Sequence, residues 1–209
     1  MLDQQRRVVQ VTAPDMRVVE FRLTGTAPYM QSRFSQKAQI AMEETQKAGS
    51  QAKSKKKRAP RDFEKDYESA KHISVDGWIG IPASAFRKAA ISACRLVQFQ
   101  MTKAKLSIFT EADGYDVVDG TPLVRIFGEP EMTKLPCRND NGGMDIRARP
   151  LWRKWSCVLR VRFDNDQFSA EDVTNLVVRI GQQVGVGEGR PDSKESAGMG
   201  FGLFNVEAA

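Results

Sequence analysis

Hydrophobic positions along this chain recur at two periods, and the switches between them divide the sequence into elements. Met16 to Gly25 alternates, with Val19, Phe21 and Leu23 on one face and Glu20 and Arg22 on the other, which predicts a first strand. Gln31 to about Lys47 is rich in Gln, Ala, Met and Glu without Gly or Pro and predicts a helix fading into a basic stretch. Asp62 to Lys71 allows a short, charged second helix. Trp78 to Ile81 predicts a short strand. Pro82 and Ser84 then open a helix in which Phe86, Ala89, Ala90, Ala93 and Leu96 recur at helical spacing. Leu123 to Phe127 predicts another strand, followed by a loop from Asn139 to Gly143. Cys157 to Phe163 alternates cleanly, Cys157, Leu159, Val161 and Phe163 inward and Arg160 and Arg162 outward. Ser169 is an N-cap with Glu171 and Asp172 in the first turn, and Val173, Leu176, Val177 and Ile180 form the buried stripe of a helix ending near Gly181. A last strand is expected at about Met199 to Val206.

This order is α+β and compatible with a split βαβ, ferredoxin-like sheet. A chain of 209 residues suits one core with a long excursion. We therefore expect a single domain over 1–209, with residues 43–71 as a basic helical and loop insertion. No run of about eighteen apolar residues occurs, and Met1 to Arg7 carries an acid with no apolar stretch after it, so neither a membrane helix nor a secretory signal is expected. The expected location is cytoplasmic.

Charge changes the picture more than composition does. Lys47, Lys53, Lys55, Lys56, Lys57, Arg58 and Arg61 lie together with no acid, while the rest of the chain carries 25 cations against 26 acids. The whole net charge of +6 thus rests on one stretch too polar to bury a core. Its alternatives are a solvated tether and an arm that neutralises phosphates, and the charge favours the second. A second run, Arg147, Arg149, Trp152, Arg153, Lys154 and Trp155, mixes cations with indoles, as proteins that track and stack single-stranded nucleic acid do. Its alternative is a pair of core tryptophans.

Cys94, Cys137 and Cys157 are widely spaced without a Cys-x-x-Cys, so neither a disulfide framework nor a zinc site is drawn, and buried thiols are expected. No metal and no cofactor is expected. Asp113, Asp116 and Asp119 are spaced by three without the acid that completes a calcium loop and read as a solvated acidic turn. His72, the only histidine, is a candidate general acid or base, with Lys71 or Tyr67 nearby, or a structural residue beside a strand.

Seven of sixteen glycines, Gly181, Gly185, Gly187, Gly189, Gly198, Gly200 and Gly202, crowd one stretch near the C-terminus. Such crowding serves backbone with positive φ or close approach to another group. A phosphate-binding loop of the dinucleotide type fails, because only seven residues follow Gly202. The remaining choices are a loop shaping a hairpin and a loop lying on an RNA backbone, with Arg190 and Lys194 reaching phosphates.

Two phrases together resemble a known family. Ile79-Gly-Ile-Pro82-Ala-Ser84-Ala-Phe-Arg87-Lys-Ala-Ala is similar to the Ile-Pro-Gly-Ser-Ser-Leu-Lys-Gly phrase of the RAMP superfamily, above all the backbone subunits that line guide RNA in CRISPR effector complexes. Gly187-Glu-Gly189-Arg190 with Ser196-Ala-Gly198-Met-Gly200-Phe-Gly202 is similar to that superfamily's C-terminal glycine-rich loop. Ala83 stands where the family has Gly, Ala197 where an Arg often precedes the last glycine pair, and residues 191–195 lengthen the loop. The resemblance implies a modified RRM-like core with a projecting insertion that binds single-stranded RNA by its backbone. It implies Arg87 as the phosphate-facing cation, Ser84 as the matching serine, and partners comprising guide RNA, target RNA or DNA, copies of the chain and other effector subunits. The expected activity is non-catalytic RNA binding. The alternatives are an RNA-processing endoribonuclease using His72 and a phage or plasmid single-stranded DNA-binding or annealing protein.

Overall fold

A computed structural model describes residues 11–33, 62–138, 144–193 and 198–208. The chain is mixed α+β with antiparallel sheets. Its strands are β1 (Met16–Gly25), β2 (Tyr29–Met30), β3 (Gly80–Pro82), β4 (Ile108–Thr110), β5 (Gly114–Tyr115), β6 (Pro122–Phe127), β7 (Glu131–Arg138), β8 (Met144–Trp152), β9 (Ser156–Asp164) and β10 (Phe204–Ala208). Its helices are α1 (Phe63–Ser69), α2 (Ala83–Ala93), α3 (Met101–Ser107) and α4 (Ala170–Arg179), with a 3₁₀ turn at Cys94–Val97 and a π turn at Ile180–Val184. Among the described residues no helix is long and apolar enough to cross a membrane.

In the main sheet β10 pairs with β1, β1 with β9, and the far edge of β9 is shared by β4 and β6, which continues to β3 and β5. Phe21 lies opposite Leu159 and Leu23 opposite Cys157, so inward residues of β1 and β9 share one face. Helices α2 and α4 cover that face, where Phe86, Ala89, Ala90 and Ala93 of α2 and Val173, Leu176 and Val177 of α4 join the strand residues in one buried cluster. Alanines on α2 let its backbone lie close to the sheet. On the other face two arginines of β9 meet acids: Arg160 pairs with Asp113 and Arg162 lies 3.8 Å from Glu111. A second sheet, β2-β8-β7, carries α1, whose Tyr67 hydroxyl donates to the Pro130 carbonyl and whose Phe63 ring lies under Lys134.

Alternation locates β1 and β9 to within a residue, and Asp62 caps α1 by accepting from the Lys65 amide. The helix expected from Gln31 is not present at 31–33, and its remainder, like the basic stretch 47–61 and the loop 139–143, lies outside the described residues. The last strand starts only at Phe204, because Gly198, Gly200 and Gly202 hold positive φ that a strand cannot use. The Trp78 strand shifts to Gly80–Pro82, with the indole laid on Gly80 and Gly114, where an added Cβ would come within 2.7–3.0 Å of neighbouring atoms. Burial pushes the Cys94 thiol up and the Cys157 thiol well above its usual range.

The N-cap predicted at Ser169 is present and is part of a capping box: its hydroxyl accepts from the Asp172 amide, and the Asp172 carboxylate accepts from the Ser169 amide and hydroxyl. These bonds hold Asp172 below the usual carboxylate range. Because its folded value is lowered, the charge-dependent part of the cap is present above the unfolded value of about 4 and lost as pH falls through the folded one. Ser169→Ala is expected to cost about 1 kcal/mol in urea unfolding at pH 7, with a smaller deficit at pH 3.

Candidate functional site

The two phrases singled out in the sequence face each other across one groove of about 460 Å³. One wall is α2, where Ser84 and Lys88, and Ala85 and Ala89, recur four residues apart and so share a face. The other wall is the glycine-rich loop, with Gly187, Glu188, Arg190 and Asp192; Tyr29, Gln31 and His72 line the groove as well. Helix α2 follows Pro82 with no acid in its first turn and no side-chain cap. Its positive end and open amides therefore border the groove.

The loop is shaped by its backbone. Gly187 has φ of +84° and sits so close to strand β2 that a Cβ would come 2.6 Å from both the Met30 carbonyl oxygen and the Tyr29 ring. At Gly202, φ is +70° and a Cβ would come 1.8 Å from the Val186 carbonyl. The amides of Glu188 and Gly202 donate to the carbonyls of Met30 and Pro28, docking the loop on the chain around β2. Two ion pairs hold its flanks: Glu188 meets Arg149 of β8 at 2.8 Å, and Asp192 meets Arg95 at 3.0 Å while accepting from Ser92 of α2. Both groove acids are thereby neutralised. Lys88 has no acidic partner among the described residues, and Arg190 donates only to the Gly187 carbonyl. The uncompensated charge of the groove is positive.

His72 is held from two sides. Its amide donates to the Gln31 side-chain oxygen at 3.0 Å, and Gln31 in turn donates to the Gly80 carbonyl and the Tyr29 hydroxyl. Its Nδ1 lies 2.8 Å from the fully buried Asp116 carboxylate, which fixes the ring and leaves Nε2 without a partner among the described residues. Asp116 also meets Arg33 at 3.1 Å, and Arg33 reaches Asp119 at 2.8 Å. Burial works against ionisation of Asp119, but hydrogen bonds from Thr121 and Arg33 outweigh it and hold the carboxyl below its usual range. His72, Asp116 and Asp119 lie within 4.8 Å of one another, a set of donors that suits a metal ion. Here the Arg33 guanidinium supplies the cation between the two carboxylates.

Several expected site residues find other work. Trp152 has no exposed surface and donates to the Gly128 carbonyl, so its ring cannot stack a base; Trp155 is likewise core and donates to Ala27. Arg149 is committed to Glu188, and Arg153, on the surface, lies 2.6 Å from Glu131. Arg147 belongs to β8, opposite Leu135. Arg87 turns away from the groove: its guanidinium donates to the carbonyls of Ile108 and Lys105 and lies over Phe109, while the neighbouring Lys88 lines the groove instead. The aspartates are not a solvated turn, since Asp116 is buried. Ser84, Gly187 and Arg190 line the groove, with Gly189, Gly198 and Gly200 in the loop that forms its wall. Lys53, Lys55, Lys56, Lys57, Arg58, Arg61 and Lys194 lie outside the described residues. Gln31, Arg33, Lys88 and Asp116 were not singled out as site residues by the sequence patterns; Lys88 sits in the family-like phrase, one place beyond the residue that the resemblance marked.

Gly202→Ala is expected to lower stability by at least about 1–3 kcal/mol from backbone conformation alone, with the clash adding to it, as read by urea unfolding. Comparison with known families and with curated proteins gives no match for this chain.

Proposed function

We propose that the groove binds single-stranded RNA through its phosphates, as a non-catalytic backbone subunit of a guide-RNA ribonucleoprotein would. The observation that carries this reading is the meeting of the phrase at 79–90 with the loop at 187–202 across one groove whose uncompensated groups are cations. A helix N-terminus, Ser84, Lys88 and Arg190 suit phosphate oxygens. The strand order β10-β1-β9-β4, all antiparallel, with α2 between β1 and β4 and α4 between β9 and β10, is that expected of a ferredoxin-like core, and we take the fold as such. Several copies of the chain along one RNA, with the basic stretch 47–61 adding phosphate contacts, complete the reading.

Lys88→Ala with Arg190→Ala is expected to weaken binding of a single-stranded RNA oligonucleotide and to reduce the slope of log affinity against log salt by about 1.4, two contacts at about 0.7 each. Deleting 47–61 should reduce the slope further. An unchanged slope in the double variant overturns the groove reading, and equal affinity for DNA of the same sequence moves it to a single-stranded DNA-binding protein.

The fixed His72 ring favours a second reading, an endoribonuclease. Nε2 at the groove would take the proton of a 2′-hydroxyl as the 2′-oxygen attacks phosphorus; the 5′-oxygen leaves with a proton from solvent, and a 2′,3′-cyclic phosphate remains. RNA cleavage by the parent, abolished in His72→Ala with affinity retained, is the outcome that selects it.

A further inference from the structure

A second opening lies at the other end of α2. It has a volume of about 740 Å³ and is walled by the turn after α2 and by α4 with its π turn. Phe99 and Phe168 line it, their ring centroids 4.5 Å apart. Phe168 is buried in the core, which makes the pair a rigid apolar surface, while Phe99 is half-buried. Around it stand the side-chain amides of Asn175, Gln182 and Gln183, all on the exposed side of α4 and the turn that follows. Asn175 and Gln182 have no partner among the described residues, and Gln183 accepts only a 3.4 Å contact from Arg179.

We infer that this cleft takes one planar nucleobase, lying against Phe99 and read along its edge by the amides of Asn175 and Gln182. A ring wall supplies contact to any flat heteroaromatic group, and an amide offers both a donor and an acceptor, the pattern a base edge requires. The charged side chains of the lining, Asp172 and Arg179, are of opposite sign, which suits an uncharged ring. Position adds to the chemistry. Ser84 of the groove and Cys94 of the cleft are ten residues apart, about 15 Å along the helix axis, and Asp192 of the groove is tied to Arg95, next to Cys94. A strand whose phosphates occupy the groove runs within reach of the cleft; only this last step rests on the RNA reading.

The base has two sources, a free nucleotide and a residue of an RNA strand, and two sets of probes separate them. The four ribonucleoside 5′-monophosphates and the four homopolymeric RNA 12-mers are titrated into the parent, into Asn175→Ala/Gln182→Ala, into Phe99→Leu and into Lys88→Ala/Arg190→Ala, each checked for folding by circular dichroism. The amide pair is exposed, so its double variant is expected to fold even if Phe99→Leu does not. The expected result is preference among the four bases and about tenfold weaker binding in the amide variant, with the preference lost. That result with the 12-mers alone assigns the cleft to a base within a strand; with the monophosphates, to a free nucleotide. Unaltered affinity and preference in the amide variant, while the Lys88/Arg190 variant weakens, overturns the cleft and leaves the groove. The reverse pattern keeps the cleft and overturns the groove, and no binding by any probe overturns both.

Discussion

A carboxylate with no exposed surface must be met on every side, and Asp116 imposes that requirement on three separate parts of the chain. Arg33 comes from beyond β2, His72 from the segment before β3, and the Val118 amide from the carboxylate's own loop. Removing any one would leave a buried charge short of a partner, so the three are held together. The consequence reaches beyond them. With Nδ1 committed to Asp116, the imidazole of His72 has a fixed plane, and Gln31, which accepts from the His72 amide and donates to Gly80, ties the same corner to the edge strand β3. Strand β3 runs straight into α2, so the packing of one buried acid helps set where the groove wall begins.

The opposite wall is placed by other means. None of the described residues between Gly185 and Gly202 forms regular structure, yet the course of the loop is set by backbone approaches that only glycine permits, and by two ion pairs on its flanks. Glu188 and Asp192 both face the groove, and left alone they would repel an anion. Paired with Arg149 and Arg95, they become struts, and the charge left over belongs to Lys88 and Arg190. The same pairs that stiffen the loop therefore set the sign of the groove.

These arrangements explain what was legible in the sequence. Alternation marked β1 and β9 because one face of each is core and the other is wet, and the Ser169 cap marked α4 because its chemistry is local. The glycine cluster and the phrase at Pro82 were visible as a pair, although their meeting across a groove is a fact of folding. The hairpin β7-β8 escaped notice because Pro136 and Pro150 interrupt it and its cations mask the period. Trp152 and Arg149 belong to β8, where one is core and the other a strut, a distinction that the bare run of basic and aromatic residues does not carry. Asp116 sits in a run of turn residues, and burial of a single acid leaves no periodic signal. Arg87 and Lys88 are neighbours with the same charge, about 100° apart on a helix. Only the phase of α2, set by Phe86, Ala89 and Ala90 against the sheet, decides that Arg87 stacks on Phe109 while Lys88 reaches the groove.

That phase also governs how the two openings relate. Helix α2 buries one stripe in the sheet and has Ser84 and Lys88 left for the groove, then ends at Cys94 beneath the cleft. Asp192 joins the two, since it lines the groove and grips Arg95 and Ser92 where the helix ends. The wall of the groove and the turn at the foot of the cleft therefore share one anchor, with the helix as the rigid element between them.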